Sequence, residues 1–577
     1  MSRSQIACRA AVGAAVLLAG TAFTGSVAAA APPPAPGHSK HVLLISVDGL
    51  HQSDLTKYVS RHPGSALARL VARGVDFTRA QTPVPSDSFP GTVAQLTGGN
   101  PKTTGIYYDD AYNRALLPAG TTSCAHAEPG AEVDLTEDMD KNSKEIDAGQ
   151  GLSGLPGSVL SMTGNPSTVI DPAKLPVDPT TCTPVSPGDY LQVNTVFQVA
   201  KQAGLHTAWS DKHPVYEILN GPGGATPSID DLFTPEINSQ AAGAAPGTDW
   251  TKDNAKTQQY DGYKVRAVLN EIDGYGHART RQTGEPAIFG MNFQSVSTAQ
   301  KLPTSDGKAG GYLPGGDPGP LLASALDFVD SQIGRIVSEL DRQHHADDTT
   351  VILSAKHGQS PIDPSTLERI DDKPIIDGLD VAWAAVHRGA APLVAHSVDD
   401  DAMILWLSDH SQSAADFAAK YLRDHSGSGT DINGRPVRAA ASGTSSIHAG
   451  ADAAAFFGTS VSDPRVPDVF AVARPGVVYT GGKSKIAEHG GASADDRNVP
   501  IVVVGAGVSR HGTGAEPVET TSIAPTILSL LGLNPTSLQA VRAERTPVLP
   551  VSGGGATTGF LTGLRFLTDA VALNGSR

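Results

Sequence analysis

The chain has 577 residues, a formal net charge of −16 and 39% hydrophobic residues, enough for one large α/β domain with insertions or several smaller domains. So acidic a surface does not draw nucleic-acid polymers or anionic lipid from a distance, so a phosphate-bearing substrate is expected to be small and met by local positive charge. Met1 to Ala31 places Arg3 and Arg9 around the start of an apolar stretch, Ala11 to Ala19, and ends in small residues. This reads as a cleaved signal peptide rather than a membrane span, and predicts a soluble, secreted protein. Its removal takes away two arginines and no acid, leaving −18 (−16 less 2). Cys8 leaves with it, and Cys124 and Cys182 are the cysteines that remain. In an oxidising compartment they can close one disulfide; two reduced structural thiols are the alternative.

Residues 32–40 form a Pro-rich leader, and the folded region is expected over 41–540 with a tail at 541–577. The apolar run His41 to Val47 predicts a strand buried on both faces, closed by Asp48. Forty residues on, Ser88 stands in Pro85-Ser86-Asp87-Ser88-Phe89-Pro90-Gly91-Thr92, ahead of a helix start at Gly91 to Leu96. A hydroxyl there lies beside free N–H groups that favour anions, although a Ser before a helix also serves as an ordinary cap. Val196, Phe197 and Ala200 have helical spacing in Asn194 to Ala203, with Gly204 leading to a strand at Leu205 to Trp209. Leu321 to Leu340 is a long amphipathic helix, followed by a strand at Thr350 to Leu353; Val499 to Val504 is another strand, and Ser522 to Leu531 a final helix. Strands alternating with helices predict an α/β fold with a mostly parallel central sheet covered by helices on both faces. Weakly periodic segments at 109–188 and 361–477 read as insertions, the second holding a β-α piece from Ala402 to Leu422.

Five short strings, in order, resemble the alkaline phosphatase superfamily and, within it, the type I phosphodiesterase/nucleotide pyrophosphatase branch. They are Val47-Asp48-Gly49, Asp87-Ser88-Phe89-Pro90, Lys356-His357-Gly358, Glu488-His489-Gly490-Gly491 and Thr520 to Leu528. The resemblance implies an alkaline phosphatase-like fold, a covalent phospho-enzyme and two zinc ions held by seven side chains, nucleophile included. By position, Ser88 matches the nucleophile and Asp48, His357 and His489 match metal ligands, so four of the seven can be placed. A metal at Ser88 would lower the hydroxyl pKa, and carboxylates and neutral imidazoles suit zinc.

The chain departs from that pattern at several positions. Lys356 stands where the family has an Asp, and Gly91 where it has an Asn that holds the phosphoryl oxygen. The Asp and His expected upstream of the long helix are missing from Asn292 to Ser297 and Gly315 to Pro320, where Asp317 is a possible substitute ligand. An ammonium about 4 Å from a dication is repelled by about 8 kcal/mol at an effective dielectric of about 20. Lys356 therefore turns away, replaces one metal as the phosphoryl-oxygen clamp, or is neutral and acts as a base; replacement, with one metal or an unusual pair, is the favoured reading. Asp211-Lys212-His213, at a strand end, supplies extra ligands or a substrate clamp through Lys212 and His213, or is a mixed-charge surface loop. Tyr107-Tyr108-Asp109-Asp110 forms a pocket wall or a solvated turn.

The expected function is a metal-dependent hydrolase of small anionic phosphate esters, with phosphodiester or nucleotide pyrophosphate bonds first. A phosphomonoesterase or a sulfate or phosphonate ester hydrolase with one metal plus Lys356 is the second reading. A catalytically degenerate anion-binding or interaction protein is the third. No membrane or nucleic-acid partner is indicated, and the oligomeric state is not legible.

Overall fold

The computed structural model describes residues 38–152, 157–223, 226–241, 248–480 and 484–552. The expected signal peptide, most of the Pro-rich leader and the last 25 residues of the tail, 553–577, lie outside them. Among the described residues, no helix is long and apolar enough to cross a membrane.

Eight strands form the central sheet, in the order Gly512–Gly514, Val75–Phe77, Val502–Gly505, Thr349–Ser354, His41–Val47, Ile288–Phe293, Ala208–Ser210 and Asp231–Phe233. Every pairing is parallel except the two made by Val502–Gly505, which runs against both neighbours. The continuous apolar run of His41–Val47 follows from this position. Val42 and Leu44 point into one hydrophobic core, Leu43, Ile45 and Val47 into the other. A strand with cores on both sides has no face left for polar residues.

Helices cover both faces. Ser88–Thr97, Val196–Gln202 and Ile523–Leu530 contribute to the first core. Asn254–Ile272 and the 23-residue Pro320–Arg342 contribute to the second, the latter through Leu322, Ala325, Val329, Ile333, Ile336 and Leu340. Pro320 sits at the first helical position, where its missing N–H costs nothing, and Thr195 caps the shorter helix in a capping box with Gln198.

Residues 361–480 carry two further four-stranded sheets and the helices Lys373–Val386 and Gln412–Asp424, around a core of their own that includes Ile370, Leu379, Trp383, Met403 and Leu405. The β-α piece read from Ala402 onward is the strand Ala402–Leu407 followed by Gln412–Asp424. Between 109 and 188 the described residues hold one short hairpin, Asp110–Asn113 with Ala131–Asp134, several single helical turns, and a Cys124–Cys182 disulfide.

Glu217, in the turn Pro214–Asn220, shows what the tight packing costs. Burial pushes its carboxyl up to about 7, against the lowering effect of the Gly188 N–H that it accepts at 3.1 Å. The folded state thus binds this proton more tightly than the unfolded chain, so stability falls as pH rises from about 4.5 to about 7. Glu217→Gln is expected to raise the melting temperature at pH 8 and leave it nearly unchanged at pH 4, as calorimetry at the two pH values would show.

Candidate active site

Four neighbouring parallel strands deliver the site, because parallel strands end at the same sheet edge. Asp48 follows His41–Val47, Asn292 and Gln294 lie at the end of Ile288–Phe293, Lys356 and His357 follow Thr349–Ser354, and Asp211 and Lys212 follow Ala208–Ser210. Ser88 opens the helix Ser88–Thr97, three residues earlier than the sequence predicts; Asp87 caps it by accepting the Phe89 N–H at 3.1 Å. Gln95 on this helix donates to the Ala355 carbonyl at 2.7 Å, tying the helix to the strand that carries His357.

Gly91 permits the contact. A Cβ there would lie 2.1 Å from the Lys356 carbonyl oxygen, and its N–H is spent on the Asp87 carbonyl at 2.9 Å. Gly91 is thus small because the helix packs here on the backbone of the strand end. Gly91→Ala must push the helix off the strand end; an overpacking cost of about 1–3 kcal/mol is expected. A thermal melt of this variant, with an accompanying loss of esterase activity, checks it.

Ser88 lies at the centre. Its Oγ accepts from Lys212 Nζ at 2.9 Å and is 3.3 Å from His357 Nε2. His357 Nδ1 is 2.8 Å from the Gly358 carbonyl and must donate to it, which leaves Nε2 as the acceptor facing the hydroxyl. Burial pushes His357 down to about 3, so the imidazole is neutral. Asp48 Oδ2 lies 3.8 Å from the same Nε2 and 3.7 Å from Lys212 Nζ, and accepts from Gln294 at 2.6 Å and Asn292 at 3.2 Å. Burial alone would raise Asp48, but Lys356, Lys212, His357 and the Gln294 bond hold it below the usual carboxylate range.

The two lysines keep different company. Burial works against the Lys212 charge, yet Asp48, Asp87, Asp109 and Asp211 overturn that and raise its pKa. Lys356 Nζ donates to Asp211 at 2.8 Å and to the Tyr216 hydroxyl at 2.7 Å, over the Tyr216 ring; here burial wins and its pKa falls. Asp211 is held in turn by Trp209 Nε1 at 3.0 Å and Asn292 at 3.3 Å. Lys212, which the sequence offers as a clamp or a surface-loop residue, is the cation on the Ser88 hydroxyl.

His489 completes the cluster, its ring 4.0 Å from that of His357 and its Nδ1 3.4 Å from Asp87 Oδ1. Burial and the nearby His357 hold it well below the ordinary imidazole value. Beyond it Glu488 pairs with Lys301 at 2.6 Å and with Lys485, and Tyr108 donates to Asp400 at 2.8 Å. The Tyr107-Tyr108 pair is buried wall, with Gly490 against the Tyr108 hydroxyl.

Two expected residues lie elsewhere. Asp317 is half exposed and paired with Arg61 at 2.9 Å and Lys57 at 3.5 Å, so it is a surface ion-pair residue rather than a substitute ligand. His213 points its Nδ1 at Glu236, 2.8 Å away, and stacks on Tyr216, so it supports the turn.

Asp48, Ser88, His357 and His489 thus gather at one edge of the sheet. The sequence profile of the type I phosphodiesterase/nucleotide pyrophosphatase family matches residues 42–133 and 186–494. The chain belongs to that family and is a phosphoric ester hydrolase. Its fold is similar to the crystal structure of the alkaline phosphatase PafA, with a TM-score of 0.55 at 13% identity over 87% of this chain and 97% of that one. Murine ectonucleotide pyrophosphatase/phosphodiesterase 5 aligns with a TM-score of 0.49 at 13% identity, over 86% of this chain and 95% of that one. No match among curated proteins was found.

The family implies divalent metal at this centre. The residues present do not fit two ions. The ammonium of Lys212 lies beside both Asp48 Oδ2 and Ser88 Oγ, two oxygens that would help to hold an ion, and Lys356 stands where the resemblance implies a carboxylate. The upstream positions that should add an Asp and a His offer Gln294 and Asn292, and both amides donate to Asp48.

Proposed function

We propose that the chain hydrolyses phosphodiester or nucleotide pyrophosphate bonds through a phospho-Ser88 intermediate, outside the cell after loss of its signal peptide. The observation that carries this is the placement of the Ser88 hydroxyl between an ammonium at 2.9 Å and a neutral imidazole nitrogen at 3.3 Å. His357 Nε2 accepts the Oγ proton as Oγ attacks phosphorus, and the alkoxide departs in line on the far side and is protonated by water. Water then attacks the phosphoryl group from the vacated side and loses a proton to solvent, while the His357 imidazolium returns its proton to Oγ as the Ser88 Oγ–P bond breaks. The family membership supports the diester preference, and the Cys124–Cys182 disulfide supports an oxidising location.

A monoesterase, or a sulfate or phosphonate ester hydrolase, is the second reading. It is favoured by the ammonium groups of Lys212, Lys301 and Lys485, all of which act on His489, since more positive charge suits a more highly charged ester. The test is turnover of bis-p-nitrophenyl phosphate, p-nitrophenyl phosphate and p-nitrophenyl sulfate by the full chain and by Ser88→Ala. The diester is expected to be preferred, with Ser88→Ala at least about 1,000-fold slower, and acid-quenched protein should carry one phosphoryl group on Ser88 by mass spectrometry. Preference for a monoester or sulfate selects the second reading. No turnover of any ester leaves an anion-binding protein.

A further inference from the structure

We propose that the Lys212 ammonium takes the place of the metal ion between Asp48 and Ser88, so that this hydrolase works without metal and uses His357 as a base rather than as a ligand. The proposal rests on the reading of Ser88 as the nucleophile. It starts from position: Nζ is 2.9 Å from Ser88 Oγ and 3.7 Å from Asp48 Oδ2. An ion bound to those two oxygens would sit against the ammonium. Lys212 is fixed by its strand, by its own N–H on Asp211 at 2.9 Å, and by Asp211's bonds to Trp209 and Asn292.

Charge accounting gives the same answer. At the strand ends, Asp48 and Asp211 face Lys212 and Lys356, two negative charges against two positive, with Lys356 on Asp211 at 2.8 Å and Lys212 beside Asp48. A dication would add two positive charges to that balanced set of four, in a region where Asp48, Asp211 and Lys356 are at most 1% exposed. The donor types agree. Asp48 Oδ2 already accepts from two amides, and amide N–H groups repel a cation where the missing ligands would attract one.

The neighbouring acidic set is also provided for. Asp400, Glu488 and His489 bring ligand atoms within 4.8 Å of one another, but Glu488 is paired with Lys301 and Lys485, and Asp400 accepts from Tyr108. Protein cations and a hydroxyl thus occupy both carboxylates of that set.

In the step itself the Oγ proton moves to His357 Nε2, the Oγ–P bond forms and the bond from phosphorus to the leaving oxygen breaks. Lys212 remains protonated throughout and holds the negative charge on Oγ through its hydrogen bond, as an ion would by coordination. Unlike an ion it takes no electron pair and needs no vacant position. It touches the reacting atom and is a catalytic residue.

The experiment combines metal analysis, chelation and a Lys212 variant of the full chain. Protein grown with added zinc, then passed over a desalting column, is expected to hold less than about 0.1 ion per chain, and dialysis against EDTA is expected to leave turnover of the preferred p-nitrophenyl ester within twofold. Lys212→Ala should lose about 100- to 1,000-fold in kcat, the range for removing one fixed donor from a developing charge, with partial recovery in added ethylamine. Its melting curve separates this from misfolding. About one or two ions per chain, with activity lost on chelation and restored by zinc, would overturn the proposal. So would a Lys212→Ala protein that is folded and fully active. Titration calorimetry with zinc needs no turnover: if every ester is inert the hydrolase reading fails alone, while micromolar zinc binding abolished by Asp48→Asn sinks the ammonium centre.

Discussion

The centre depends on buried charges that cancel in pairs. Asp48 with Lys212 and Asp211 with Lys356 lie at the ends of three of the four neighbouring strands, and each pair depends on the other being present. A lone ammonium or carboxylate this deep would lose its proton or gain one, since desolvation exceeds what a single imperfect contact returns. Asn292 stitches the pairs together by donating to Asp48 at 3.2 Å and to Asp211 at 3.3 Å. The Ser88 hydroxyl is then placed against groups already held by hydrogen bonds without substrate. That preorganisation is what a fixed donor must have to lower a barrier rather than merely bind.

Much of this was legible in the sequence, for a physical reason. Asp48 and His357 follow apolar runs that can only be central strands, so their position at the sheet edge follows from the pattern of their neighbours. Ser88 and His489 are marked by Pro, which restricts the backbone around a helix start, and by Gly, which permits a tight loop. Lys212 carried no such mark. Its strand, Ala208–Ser210, is three residues long, and the contact that defines its role joins positions 124 residues apart. Likewise an apolar run does not encode strand direction, and the antiparallel course of Val502–Gly505 emerges only from its pairing.

Asp317 and Gly91 show two ways in which a position can mislead. Counting from a neighbouring motif to Asp317 assumes that the backbone between follows the same path. Asp317 instead lies in a short antiparallel pairing with Leu313 and meets the end of the helix Gln52–Arg61. Gly91 is small because a backbone carbonyl occupies the space of its side chain. Composition at a position records what the surroundings exclude as well as what the chemistry requires.

The two amides on Asp48 have a consequence for recognising other chains. Asn292-Phe293-Gln294, Asp211-Lys212 and Lys356-His357 are far apart in sequence but answer to one electrostatic condition. A chain that acquired either lysine alone would bury an unmatched charge, and one that kept acidic ligands beside the lysines would upset the same balance. The three strings should therefore travel together as a single inherited unit. Their joint presence would separate an ammonium-centred lineage from metal-bearing relatives even where overall identity is too low to group them.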